Sequence, residues 1–530
     1  MSADDFSAYI AQVAAGNRLL EGGRGSVILK KLASLLLFTL VASGCSGNSA
    51  GSSLPGSTSK NAHRRASSDP IQHVVIIMQE NRSFDNFFHD YPGANYATQG
   101  TGHNGKIYPL EELPLKWDHD QNHYHWQFLE DYDNGAGDGF DYQIIQPWKS
   151  GPDCKAGTWF NEPQCWNFAN GPHDQKIMAQ PYSYVTQAQI QPYWDMANQY
   201  VLGDDTFASN NGPTFVSHQY MIAGQAGHAS EVPSAMPWGC DKPGESEKYI
   251  LDGAADPPAF PPAVGHEIIG PDPCFPNSNA TPWNQWHYPT IATELDNQGI
   301  SWRYYVQPPA KQSYWLNAFD AVKAIRYGAD WKSDISSPDT NVLTDITSGN
   351  LAQVSWVMPH GGASDHPGGG SGNCGPDWVA SIVNAIGKSQ YWNNTAIIIM
   401  WDEWGGWYDH VIPPQYADPF TGAQEGLGFR IPLLIVSPYA KAGYISHQQH
   451  EIASTLHFIE QTFNLPALGS TFNPPVQLAD QRADAFDDAF DFTQSPITFK
   501  PIALVNEPGG LCPLTTSGLT SRKWPPEIDY

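Results

Sequence analysis

Two pairs of residues in this sequence stand where chemistry is commonly done. Glu80 and Asn81 follow the apolar run HVVIIM (73–78), and Asp402 and Glu403 follow AIIIMW (396–401). Adjacent carboxylates at the end of a buried segment repel each other unless positive charge lies between them. Either pair alone would serve as a helix cap or a surface ion pair. Two pairs at one sheet edge point to a bound cation, and oxygen donors favour Mg²⁺, Ca²⁺ or Mn²⁺, although Zn²⁺ also accepts carboxylates. In NNGPTFVSHQY (210–220), Gly212-Pro213 sets a turn and puts the Thr214 hydroxyl at the start of the next element. Free N–H groups there favour an anion. Beside a metal or a base that hydroxyl becomes a nucleophile; without one it is an N-cap. His123, His125, His218, His366 and His410 lie near the same segments. Singly each fits a structural role, but together they could neutralise phosphate oxygens and protonate a leaving alkoxide.

Short apolar runs supply the elements that would position these groups. HVVIIM (73–78), VSWVM (354–358), AIIIMW (396–401) and IPLLIV (431–436) read as buried parallel strands. DWVASIVNAIGKS (377–389) and HEIASTLHFIEQTF (450–463) read as helices between them. That alternation predicts a three-layer α/β/α sandwich around a mostly parallel sheet, in which ligands bind beyond the carboxyl ends of the strands. Residues 100–180 and 225–290 are rich in Pro, Trp, Gly and Cys and read as loop-rich insertions over that edge, where substrate selection would occur. The expected division is an upstream segment and signal over 1–44, a polar linker over 45–70, a catalytic domain over 71–500 and a tail over 501–530.

The formal net charge of −27 opposes nucleic-acid binding, which needs a basic surface. Lys30-Lys31 precede LASLLLFTLVASG (32–44), a run too short to span a bilayer and patterned as a secretory signal. Cys45 and the polar stretch after it resemble a lipoprotein box, with Ala42 where Leu is commoner, so export to the periplasm or cell surface with a lipid on Cys45 is expected. Signals seldom begin so far into a chain, which places the expected start of translation near Val27. Six further cysteines allow up to three disulfides. Closeness in sequence favours Cys154–Cys165 and Cys240–Cys274, leaving Cys374–Cys512. No CxxC spacing marks a thiolate zinc site.

The blocks HVVIIMQENRSFDNFF (73–88), HYHWQFLEDYDNGAGDGFD (123–141), GPTFVSHQY (212–220), WVMPHGGASDHP (356–367), WDEWGGWYDHVIPP (401–414) and FRIPLLIVSPYAKAGYISH (429–447) occur in one order. Together they resemble the bacterial phosphoesterase family, which holds phosphatidylcholine-type phospholipases C and a group of acid phosphatases on an alkaline-phosphatase-like fold. The resemblance runs from about residue 71 to FDFTQSP near 496. It implies one divalent cation held by Glu80, Asn81, Asp402, Glu403 and Thr214, with Thr214 also the nucleophile. His123, His366 and His410 would contact phosphate or move protons, while Arg82 pins its loop. Phe215-Val216-Ser217 stand where the family often has a Pro-containing segment. The sequence stops about 30 residues after FDFTQSP, where long phospholipases of the family carry β-domains, which tilts the expectation towards an acid-phosphatase-like enzyme. Phospholipase C action on glycerophospholipid head groups is the alternative. A lipid-anchored binding protein that holds glycans or phospholipids without catalysis is the second. A sulfatase is disfavoured, because GPTFVSH lacks the Cys/Ser-x-Pro-x-Arg signature.

Overall fold

The structure, a computed structural model, describes residues 70–505 apart from 104, 118, 148–153, 156–179, 242–245, 251–266, 272–273, 275–287, 310, 312, 368–373, 418–423 and 472–474. The expected signal, the linker with Cys45, the Cys154–Cys165 pairing, Cys512 and most of the tail lie outside the described residues.

An eight-stranded sheet organises the domain. Its strands are β1 (His73–Gln79), β2 (Val201–Gly203), β3 (Trp302–Tyr305), β4 (Ile335–Ser336), β5 (Val354–Val357), β6 (Thr395–Trp401), β7 (Leu433–Val436) and β8 (Tyr444–Ser446). Their order across the sheet is β4-β3-β5-β1-β6-β7-β2-β8. Within this sheet β7 alone runs against the others, antiparallel to both β6 and β2. That corrects the expectation that IPLLIV is a parallel strand. A strand buried on both faces shows no alternation, so its residues carry no mark of direction.

Val74 to Met78 and Ala396 to Trp401 are buried on both faces, so each large side chain contributes about 1.5–3 kcal/mol of burial. The main helices are α1 (Gln191–Gln199), α2 (Thr214–Ala223), α3 (Ile291–Gln298), α4 (Asn341–Ser348), α5 (Gly375–Gly387) and α6 (Ser454–Phe463). They pack as two groups, α1 with α5 and α4, and α2 with α3 and α6. The architecture is therefore α/β with a mostly parallel sheet, as expected. The two anticipated helices are α5 and α6, and His450-Glu451 form a separate short strand before α6.

Strands β1 and β6 are parallel neighbours in register from His73↔Thr395 to Gln79↔Trp401. Residues at equal distance past their ends therefore stand side by side, Glu80 with Asp402 and Asn81 with Glu403. The described part of the first insertion adds a small three-stranded sheet containing His119–Gln121, Ile144–Pro147 and Cys154–Lys155. Cys240–Cys274 is a disulfide, as sequence proximity suggested.

Past β8, buried His450 places Nδ1 2.8 Å from Asp484 and Nε2 2.8 Å from the Ser446 hydroxyl, with Asp488 3.5 Å away. Burial works to lower its pKa, but Asp484, Asp488 and Asp205 outweigh it and the net shift is upward. An imidazolium of that kind stabilises the fold fully below the unfolded value of about 6.5, and the contribution fades as pH rises through the higher folded value. Urea titrations across pH should find the stability gap between the parent and His450→Gln largest below about pH 6.5 and shrinking above it. A gap that widens with pH would contradict the assignment.

Candidate active site

The two strand ends are tied together by backbone as well as register. Asp402 N–H donates to Gln79 O at 3.0 Å, and Arg82 N–H to Glu403 O at 3.1 Å. Asp402 Oδ1 then accepts from the N–H groups of Asn81 (3.0 Å) and Glu403 (2.9 Å). Asn81 adopts φ 60°, a left-handed conformation uncommon for a residue with a side chain. The Asp402 bond and a 3.0 Å bond from Trp407 Nε1 to Asn81 O hold it there. Gly405 lets the following loop approach, since a Cβ there would lie 2.4 Å from Asn81 O. Glu403 Oε2 accepts from Gly405 N–H at 2.6 Å.

Three acceptors are left over. Asn81 Oδ1, Asp402 Oδ2 and Glu403 Oε1 are buried with no hydrogen-bond partner. Glu80 is pushed up to about 8 by burial and by the Asp402 charge, with Asp120 and Asp365 adding to it. Burial and Asp402 push Glu403 well above the carboxylate range too. Buried acceptors without donors, among crowded carboxylates, are what a cation-binding set looks like when only its protein half is considered. The residues fit a divalent ion. Among the described residues, groups of three carboxylates or imidazoles drawn within 4.8 Å of one another are Asp85–Asp409–His410 and His450–Asp484–Asp488. Glu80, Asp402 and Glu403 are not among them.

His123 Nδ1 donates to Gln121 O at 2.7 Å, so its Nε2 is an acceptor and receives Asn81 Nδ2 at 3.1 Å. That bond fixes the Asn81 amide with Nδ2 on His123 and leaves Oδ1 without a partner. His123 Nε2 is also 3.9 Å from Glu403 Oε1, and burial keeps its pKa below the usual imidazole range. His123→Ala should therefore weaken divalent-metal binding by about 10–100-fold, the usual cost of a partner that orients a ligand. Calorimetric titration of metal into stripped protein measures this; unchanged affinity would show that Asn81 needs no such support.

His366 faces the same space, with Nε2 3.9 Å from Asp120 Oδ2 and its ring 5.7 Å from that of His123. Its loop is fixed from below by Gln79, whose side chain donates to Ala363 O (3.0 Å) and accepts from Asp365 N–H (3.1 Å). Ser364 on that loop accepts from His366 N–H at 3.0 Å and works against the upward shift of Glu80. Arg82 is fully buried and donates to Asp365 O, Leu115 O and Asn86 Oδ1 while lying 4.8 Å over Trp407. It is a loop pin, as read from the sequence.

Pro213 is the cap of α2, so Thr214 is its first helical residue and its hydroxyl is not spent on capping. Thr214 is buried and makes no hydrogen bond through its side chain among the described residues. One turn along the same face, His218 Nε2 stands 3.7 Å from Asp402 Oδ2, which brings the start of α2 to the strand ends.

His410 is turned elsewhere. Its ring binds Asp85 at 2.7 Å and Asn95 at 3.0 Å, beside fully buried Arg430, which pairs with Asp409 (2.8 Å) and Asp85 (3.2 Å). Burial lowers its pKa, but Asp85 raises it more, as befits an imidazolium in that network. Sequence reasoning passed over Asp120 and Asp365. Only the crowding of acids and histidines in DHDQNHYH (118–125) and SDHP (364–367) signalled them.

The Phosphoesterase family model matches residues 71–466, spanning every strand-end residue of this centre. The chain belongs to the phosphoesterase family. It is 25% identical over 447 residues to a non-hemolytic phospholipase C of Pseudomonas aeruginosa, covering 76% of this chain and 56% of that one. The chain thus spans about half the length of that curated relative. It is 23% identical over 479 residues to phospholipase C A of Mycobacterium tuberculosis, covering 81% of this chain and 79% of that one. Among solved structures it is similar to an alkaline phosphatase superfamily protein from Vibrio parahaemolyticus, at 12% identity and TM-score 0.28 over 53% of this chain and 64% of that one.

Proposed function

We propose that this phosphoesterase hydrolyses phosphate esters with a divalent cation and Thr214 as nucleophile. The observation that carries the reading is the set of unpartnered buried acceptors on Asn81, Asp402 and Glu403, at a strand-end register that also aligns Glu80. Glu80, Asn81, Asp402, Glu403 and Thr214 would hold the ion, which when bound supplies positive charge to the hydroxyl and to the phosphate oxygens. Thr214 gives up its hydroxyl proton to a base of the centre and Oγ1 bonds to phosphorus as the P–O bond to the leaving group breaks, that oxygen taking up a proton; water then attacks phosphorus, the P–O bond to Thr214 breaks, and phosphate leaves as the Thr214 hydroxyl is restored. His366 and His123, with rings 5.7 Å apart, would border the phosphate and supply the proton to the leaving oxygen. Asn81 and the N–H groups at the start of α2 assist the equatorial oxygens.

The finer reading concerns the ester. The names of the relatives support phospholipase C-type cleavage of a glycerophospholipid. Phospholipase C A of Mycobacterium tuberculosis is matched over 79% of its length. Acid-phosphatase-like monoester hydrolysis, the expectation from the sequence, is the second reading; the departure at Phe215-Val216-Ser217 beside the nucleophile bears on substrate contacts and favours neither class. A panel of phosphatidylcholine, glycerophosphodiesters and phosphomonoesters, run across pH with and without EDTA, tests all of this. Diester turnover that EDTA abolishes supports the lead reading, and monoester turnover alone supports the second. No turnover together with no bound metal would leave the non-catalytic binding protein. We further read the N-terminal signal as export with lipid on Cys45. Radiolabelled palmitate should mark the parent and not Cys45→Ser, and equal labelling of both would contradict it.

A further inference from the structure

His218 is buried on the inner face of α2, one turn past Thr214. Its Nδ1 donates to Leu316 O at 3.2 Å, which leaves Nε2 as the lone-pair nitrogen. That nitrogen is buried, has no hydrogen-bond partner, and stands 3.7 Å from Asp402 Oδ2, itself buried and unpartnered. An imidazolium–carboxylate bond would close to about 2.7–2.9 Å, and a lone pair facing a carboxylate oxygen across the observed gap is repulsive. Two donors that each sit about 2.1 Å from a shared ion stand roughly 3–4 Å apart, which is the separation found. A backbone carbonyl that holds the far ring nitrogen is also how metal-binding histidines are usually oriented.

We propose that His218 gives the cation of this centre a nitrogen ligand, alongside Asp402. The inference rests on the metal reading above and changes its expected selectivity. An oxygen-only set favours Mg²⁺, Ca²⁺ or Mn²⁺, whereas one imidazole in the set shifts preference towards Zn²⁺ or Fe²⁺. Placed on the helix that carries Thr214, such a ligand would also lock the nucleophile's element to the strand end through the ion.

The test is titration of Co²⁺ into chelator-stripped full-length protein, read by equilibrium dialysis and by the visible ligand-field bands. The parent should take up one Co²⁺, with Zn²⁺ displacing it far better than Mg²⁺. Orienting partners alone cost about 10–100-fold, so His218→Gln and His218→Asn should each weaken binding at least about 100-fold and shift the bands. Unchanged affinity and spectrum in a folded variant overturn the proposal while leaving the metal centre standing. Electron spin-echo modulation of the Mn²⁺-loaded parent gives a reading that needs no variant, and absence of imidazole nitrogen coupling also overturns it. Failure of the underlying metal reading looks different: the parent binds no Co²⁺, or Asp402→Asn binds it as the parent does.

Discussion

Thr214→Ala is expected to lower kcat on any phosphoester the enzyme turns over by roughly 10³–10⁶-fold, with secondary structure and melting temperature close to the parent's. The loss is large because both steps pass through that oxygen, which first bonds to phosphorus and is then displaced by water. The fold is spared because Pro213, not Thr214, caps α2, and alanine is a better helix former than threonine. Thr214→Ser keeps a hydroxyl at the same atom and should retain measurable turnover. Rapid-quench detection of phosphothreonine separates this account from one in which Thr214 only shapes the helix start. If Thr214→Ala keeps near-parental kcat, the nucleophile lies elsewhere.

The second large effect belongs to Asp402, whose two oxygens do different work. Oδ1 accepts the backbone N–H groups of Asn81 and Glu403, and Oδ2 has no partner. Asp402→Asn preserves an acceptor for both N–H groups and removes the charge. It should lose the metal, at least about 100-fold in affinity, and with it nearly all activity. The stripped variant should nonetheless be at least as stable as the stripped parent, because the Asp402 charge is among the causes that hold Glu80 and Glu403 above the carboxylate range. Asp402→Ala loses the metal equally but strands two buried N–H groups, at a cost of about 1–3 kcal/mol each. Thermal melts of the metal-free proteins distinguish the two. Equal destabilisation by Asn and Ala would mean that the charge stabilises the metal-free fold, contrary to the repulsion argued here.

How much of this was legible in the letters follows from which interactions are local. The ends of β1 and β6 could be read because an apolar run that stops in Gln-Glu-Asn or Asp-Glu states both the strand and its functional end. Their exact pairing, Gln79 against Trp401, could not be read, since a fully buried strand carries no register mark. Strands β2 and β8 are three residues each, too short for any periodicity to show. His410 was expected from the resemblance among the phosphate-contacting residues, and its hydrogen bonds are to Asp85, Asn95 and Arg430. Gly405 and Gly406, at φ 65° and 72°, lie between it and Glu403, a backbone path that the letters alone do not reveal. Asp120 meets the site only through contacts between distant segments, so composition alone gave it no more weight than any buried polar residue, and His218 stood out only as one histidine of several, with nothing to pair it with Asp402.

Every part of the account depends on one ion lying between two strand ends and the first turn of α2. Crystals of the full protein loaded with Mn²⁺ or Zn²⁺, measured at the metal's absorption edge, test that most directly. The expected result is one anomalous peak about 2.0–2.6 Å from oxygens of Glu80, Asn81, Asp402, Glu403 and Thr214. A peak confined to another cluster, such as His450 with Asp484 and Asp488, or a Thr214 hydroxyl out of reach of the ion, would contradict it.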